Sequence, residues 1–244
     1  MNAPSSGSPE PEFSPLLSPR FIYKVTAVVV LLAVLTTMVS FFGHWFGENL
    51  ALAGHTSSRE TYDIFIGQDH LRLPANIIRF ESQRATSIAE RVDLYLTWPA
   101  LEGYSGETRH LFDDLNRPEN LIFLQLSQST MSQDMSGRLG PIYRHILSEE
   151  TRPGPAGLTR HDTKSNTGYA GEVFFTADRD GRPSYVLRCI LPDDADASTS
   201  ADCQRDVHVG KDLAVLYRFS SKLLPQWRLI DDSVETFVRS RLAP

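Results

Sequence analysis

The chain has 244 residues and a formal net charge of −6, enough length for one or two domains with a sizeable core. Glu10 and Glu12 cancel Arg20 and Lys24, and 25–47 contains no Lys, Arg, Asp or Glu, so the whole −6 falls on 48–244. An acidic domain without a Lys/Arg run has no electrostatic footprint for nucleic acid and is not drawn flat onto anionic lipid, which excludes both as surface partners.

Residues 1–20 hold five prolines and five serines and no apolar periodicity. Such a stretch cannot bury enough surface to offset its ordering entropy, so it reads as a disordered cytoplasmic tail. Residues 21–46 read as a transmembrane helix. Its centre, VTAVVVLLAVLTTMVSFF, carries no charge. Roughly 20 apolar residues cross a hydrocarbon layer of about 30 Å. Phe21 and Tyr23 at one end, and Phe41, Phe42, Trp45 and Phe46 at the other, suit the headgroup level. Arg20 and Lys24 precede the span, and no Lys or Arg follows until Arg59, which predicts an N-terminus in the cytoplasm and a C-terminal domain outside. Ala51-Leu52-Ala53 resembles a signal-peptidase site. The apolar run before it exceeds the roughly 7–15 residues of a signal peptide, so the anchor is expected to stay.

Ala33, Thr36, Ser40, Gly43 and Gly47 continue a 3-4 spacing that begins at Thr26 and Val29, giving one helical seam of mostly small side chains. Small residues let membrane helices approach closely, so this seam is a candidate packing face, including for a homo-oligomer.

Residues 47–60 read as a stalk and 61–244 as the exported domain. Tyr62–Ile66 and His70–Leu73 alternate around Gly67-Gln68-Asp69, predicting a hairpin. Strands are expected at 91–97 and 121–128, with a short helix near 106–116 between them. Met135, Leu139, Ile142 and Ile146 have helical spacing within 131–147, which Gly140-Pro141 is expected to split. Residues 152–157, Arg-Pro-Gly-Pro-Ala-Gly, read as a connector. A β meander follows at 171–178, 184–191, 205–209 and 212–219. Trp227, Ile230, Val234, Phe237, Val238 and Leu242 fall on one face of a closing helix. The fold class is therefore α+β, mostly antiparallel sheet with a few helices, preceded by one transmembrane helix.

Cys189 and Cys203 are the only cysteines and lie on neighbouring predicted strands. A bridge between them would close a loop of about 15 residues, worth up to roughly 3 kcal/mol in the chain-entropy model. An oxidising compartment permits it, in agreement with the charge-based topology. The polar connector 192–200 between them reads as a mobile loop.

Catalytic motifs are absent. The seven histidines are never closer than eleven residues apart, there is no C-x-x-C, P-loop or G-x-G-x-x-G, and the serine of Gly103-Tyr104-Ser105-Gly106 lacks the nucleophile-elbow spacing. Asp178-Arg179-Asp180-Gly181 reads as a hairpin turn rather than a calcium loop, and Asp193-Asp194-Ala195-Asp196 as a solvated loop. Of the acid–imidazole pairs, His161-Asp162 points to opposite faces of a strand, while Asp206 and His208 share one and are better placed. Trp98, Tyr104, Tyr143 and Trp227 read as core or rim aromatics. No catalytic, metal or cofactor residue is assigned, and no cofactor is expected.

The segments SPLLSPRFIYKV, LPANIIRFES, RVDLYLTWPALEGYS, MSQDMSGRLGPIYRHIL and RPGPAGL together resemble an uncharacterised family of bacterial single-pass transmembrane-anchored proteins. The resemblance implies anchoring in the inner-membrane bilayer and an envelope-facing domain, and supplies no active site. The resulting expectation is a bacterial inner-membrane protein with a periplasmic domain, an accessory or scaffold that binds another envelope protein. A tail this short houses no signalling domain, so any message across the membrane needs a partner. The alternatives are a membrane-tethered periplasmic hydrolase using Asp206 and His208, and a ligand-sensing domain acting through a membrane partner.

Overall fold

The chain divides into two units, Met1–Ala53 and Gly54–Pro244. The computed structural model describes the backbone of 19–51 and 54–243; the expected tail over 1–18, together with Leu52 and Ala53, lies outside the described residues. In the first unit a single helix, α1, runs over Pro19–Ala51. Its charge-free Val and Leu run offers nothing to break it. The described side chains from Tyr23 to Val39 are exposed, including Val28, Leu32 and Leu35 at 54%, 58% and 53%. Thr36 and Thr37 turn their hydroxyls back to the carbonyls of Leu32 and Ala33 at 2.8 and 2.6 Å, so neither spends its donor outside the helix. The side chains of 40–51, with the seam positions Ser40, Gly43 and Gly47, lie outside the described residues. Among the described residues no helix is long and apolar enough to cross a membrane.

The second unit is α+β. Its elements are β1 (Thr61–Ile66), β2 (Asp69–Pro74), β3 (Ser87–Ile88), β4 (Arg91–Thr97), α2 (Arg109–Asp113), β5 (Leu121–Gln128), α3 (Arg144–Ile146), β6 (Leu147–Pro153), β7 (Thr159–Thr163), β8 (Val173–Arg179), β9 (Arg182–Cys189), β10 (Cys203–Val209), β11 (Leu213–Phe219) and α4 (Trp227–Arg239). The eight-stranded sheet has the order β4-β5-β11-β10-β9-β8-β7-β6, and every neighbouring pair in it is antiparallel. A smaller sheet has the order β2-β1-β3. Residues 54–60, expected as stalk, lie against this unit: Arg84 donates to the Gly54 carbonyl at 2.6 Å, and the Ala75 amide donates to Glu60 at 2.7 Å.

Alternation decides which face of the large sheet is dry. Inward residues such as Leu94, Leu124, Val215, Val207, Leu187 and Phe175 form one core with Ile64 and Leu71 of the small sheet and Trp227, Ile230 and Val234 of α4. Two turns clasp the sheets together. Asp69 accepts from the amides of Lys211 and Asp212, and Asp212 accepts from the amide of Gln68 at 2.9 Å. Gly210 sits between them at φ +73°, where any Cβ would collide with the Asp69 carboxylate.

Two expectations need correction. Residues 131–147 are not a split helix. They form turns, one wide helical turn over Leu139–Tyr143, and the three-residue α3. The apolar spacing serves an irregular strap instead: Met135, Tyr143 and Leu147 pack with Phe174 and Val186 on the outer face of the sheet, while Ile142 stays 43% exposed. The connector at 152–157 is in part strand. β6 runs to Pro153, and positive φ at Ala156 and Gly157 closes a hairpin onto β7.

Candidate functional site

The outer face of the large sheet is where side chains remain available. One cross-strand row runs over all eight strands: Tyr95, Phe123, Arg218, Gln204, Arg188, Phe174, His161 and Thr151. Part of the row is covered. Tyr95 lies under His55, Tyr104 and Phe112, with His55 Nδ1 3.0 Å from the Tyr95 hydroxyl and its ring stacked 4.8 Å from Tyr104. Burial lowers the His55 pKa and pushes Tyr95 up to about 12. Phe174 lies under Tyr143, and Arg188 pairs with Glu172 at 3.1 Å.

Between the strap and the β8–β9 hairpin is an open concavity of about 370 Å³. Its floor takes one polar residue or more from each of four strands: Thr151, His161, Thr176 with Asp178, and Ser184. His161 Nε2 is 2.9 Å from Thr176 Oγ1, and burial lowers the His161 pKa, so the imidazole is neutral at neutral pH. A neutral imidazole beside a hydroxyl is half of a nucleophile–base pair. Asp162 does not orient it: it faces the other way and takes Arg160 at 2.9 Å.

The Asp206–His208 pair dissolves. The two share the outer face, but the Asp206 carboxylate is taken by Arg138, and His208 Nε2 lies 2.9 Å from Ser129 Oγ. Ser129 already donates its single proton to the Met131 carbonyl at 2.7 Å, so it accepts from His208. That direction is opposite to the one an activated serine needs.

Cys189 and Cys203 form a disulfide at directly opposed positions of β9 and β10. These strands share only two registered pairs, Cys203–Cys189 and Gln204–Arg188, before they part. Where they part, the guanidinium of Arg205 donates to the Val186 carbonyl at 2.8 Å, filling the place of a neighbouring strand. Arg205 is 1% exposed, and its Nε donates to Asp231 of α4 at 2.9 Å. Asp231 also accepts from Arg179 at 2.5 Å and from the Tyr217 hydroxyl at 2.7 Å. Burial works against the Arg205 charge, but Tyr217, Asp231 and Tyr185 outweigh it and hold its pKa above the usual range. A sequence signal for this network existed. Alternation through Cys203–Val209 turns Arg205 inward, and the helical period puts Asp231 on the apolar face of α4 beside Trp227 and Val234.

The connector between the cysteines is anchored at its C-terminal end by Asp202. Asp202 accepts from Ser198 at 2.6 Å, Thr199 at 2.7 Å and Ser221 at 2.7 Å. Burial acts to raise its pKa, but these hydrogen bonds prevail and hold it below the usual carboxylate range. Asp194 caps the turn at Asp196 at 3.0 Å. Trp98, Tyr104, Tyr143 and Trp227 are all buried, as expected of core aromatics.

No family model and no curated protein matches the chain. Among solved structures it is similar to Smlt3025, an immunity protein of the Stenotrophomonas maltophilia type IV secretion system. The TM-score is 0.55 and the identity 15%, over 78% of this chain and 96% of that one. It also matches the iron-regulated outer membrane lipoprotein FrpD of Neisseria meningitidis, with a TM-score of 0.46 and 13% identity over 77% and 95% of the two chains. At these identities the likeness to the immunity protein shows a shared fold and nothing further.

Proposed function

We propose that this chain is a membrane-anchored accessory or scaffold protein of a bacterial envelope, whose folded unit faces the periplasm and binds another envelope protein. The observation that carries the reading is a disulfide in a unit that follows a charge-free helical run with Arg20 and Lys24 at its entrance. Disulfides persist in oxidising compartments, and positive residues stay on the cytoplasmic side of a span. Exposed Val and Leu side chains along α1 need an apolar environment, and an inner-membrane bilayer is the proposed one. The small-residue seam from Ala33 to Gly47 then offers a face for a second helix or a second copy of the chain. Membership of the transmembrane-anchored family that the sequence resembles belongs to the same reading.

A second reading draws on the shared fold. If the chain acts as its structural neighbour's name states, the bound component is a secreted effector and the chain confers immunity to it. Crosslinking in intact cells, followed by mass spectrometry of copurified proteins, tests both. The accessory reading expects one reproducible envelope protein, and the immunity reading expects an effector only after its delivery. Recovery of neither, with the purified protein turning over an ester or glycan, overturns both in favour of a hydrolase.

A further inference from the structure

The middle of the outer sheet face is open, and its charge is unbalanced. Phe123 and Arg218 face each other across β5 and β11, between the covered Tyr95 and the engaged Arg188. Arg79 lies over this stretch, its guanidinium 4.9 Å from the Phe123 ring centre and 5.1 Å from that of Phe80. Phe80 is 42% exposed. The nearby acids are already spent: Asp93 pairs with Arg91 at 2.9 Å, and Asp206 with Arg138. Among the described residues neither Arg79 nor Arg218 has a carboxylate within ion-pair distance; Arg59, Arg84, Arg144, Arg228 and Arg241 of the same unit lack one too, but Arg79 and Arg218 line one concavity together with Phe123. Two guanidiniums without a paired acid thus flank one aromatic face on a unit that is net acidic. The concavity they share with Leu216 is about 20 Å³, room for one carboxylate-sized group. Ligand pockets for whole small molecules run to roughly 300–1,000 Å³.

We propose that this strip docks an acidic, partly apolar segment of a partner protein. One carboxylate is held between Arg79 and Arg218, and an apolar side chain lies against Phe80 and Phe123. The guanidinium fork matches a carboxylate in two parallel hydrogen bonds, and Arg with aromatic residues dominates binding hot spots. The acidic remainder of the domain repels such a segment elsewhere, which fixes where it docks. This inference rests on the protein-binding reading above and names the chemistry of its partner.

The test uses the full-length chain in nanodiscs of phosphatidylcholine and a random dodecapeptide display library. Selected peptides are expected to combine Asp or Glu with Leu or Phe. Affinity of a synthesised peptide should fall at least tenfold with Arg79→Glu or Arg218→Glu, and equally when its acids become amides. Arg152→Glu, on the exposed edge strand β6, should leave it unchanged. Arg218→Gln, a milder change on the same surface, should reproduce most of the loss, and unchanged circular dichroism certifies folding of each variant. An empty selection, peptides without acids, equal binding to the charge-reversed protein, or competition by phosphatidylglycerol nanodiscs would each overturn the proposal. Photocrosslinking in cells separates this failure from that of the broader reading. Benzoylphenylalanine placed at Leu216 should capture a protein through a contact that Arg218→Glu abolishes. Capture from Ile88 or Leu229 alone sinks the strip and leaves protein binding intact, while capture from none of the three sinks both.

Discussion

Replacing Asp231 with alanine should be the most damaging single change in the domain. Asp231 is 4% exposed and accepts from three donors, Arg205, Arg179 and Tyr217. Removing it strands the Arg205 guanidinium, 1% exposed, without a counter-ion. Breaking a buried pair from one side costs about 3–5 kcal/mol, because the remaining charge has lost its solvent and its partner together. Arg179 adds less, since it lines an open concavity with Arg182 and Asp232 and can turn to water. At roughly 2–4 °C per kcal/mol for a domain of this size, the thermal midpoint should fall on the order of 10 °C. The double variant Arg205→Met/Asp231→Leu removes the buried charge with its counter-ion, leaves the Tyr217 hydroxyl and the Val186 carbonyl unpaired and Arg179 without its acceptor, and should still cost less than the single change. Thermal melts of the purified full-length protein, followed by circular dichroism, decide the matter. A single variant within about 1 kcal/mol of wild type, or a double variant less stable than the single, would refute the reasoning.

Cys189→Ala/Cys203→Ala should lose up to roughly 3 kcal/mol, and amide exchange at Arg188 and Ile190 should accelerate, because only two registered pairs then hold β9 to β10. His55 and His161 have folded pKa values lowered chiefly by burial, so the unfolded chain binds more protons. Their contribution is fully present above about pH 6.5 and declines as pH falls below it. Denaturant melts between pH 5 and 7 should show that slope, and His161→Gln should reduce it. Gly210→Ala should destabilise more than Gly181→Ala. Both sites have positive φ, but a Cβ at Gly210 meets Asp69 whereas one at Gly181 meets nothing within 4 Å. Equal losses in urea melts would remove the clasp from the account.

Local pattern was enough where structure is regular. The β1–β2 hairpin, β4, β5, the meander from β8 to β11 and α4 all follow from alternation or helical period, and the cysteine pair from its place on neighbouring strands. The strap over 131–147 was not legible, because helical spacing of Met135, Leu139 and Ile146 describes which residues are apolar and not what they cover. β6 and β7 were hidden by Pro153 and the glycines of a tight hairpin, which read alike in a loop. The outer-face strip needed the register of β5 against β11 to bring Phe123 opposite Arg218, a pairing across 95 positions of chain that no local window contains. The Arg205–Asp231 pair was legible in principle, since each is a charge on an otherwise apolar face and therefore demands the other.

Fusing reporters after Pro244 tests the central claim most directly. Alkaline phosphatase, which needs an oxidising compartment for its own disulfides, should be active there, and a fluorescent protein that matures only in the cytoplasm should stay dark. A dark phosphatase with a bright fluorescent fusion would place the cysteines in a reducing compartment and contradict the anchored, envelope-facing account.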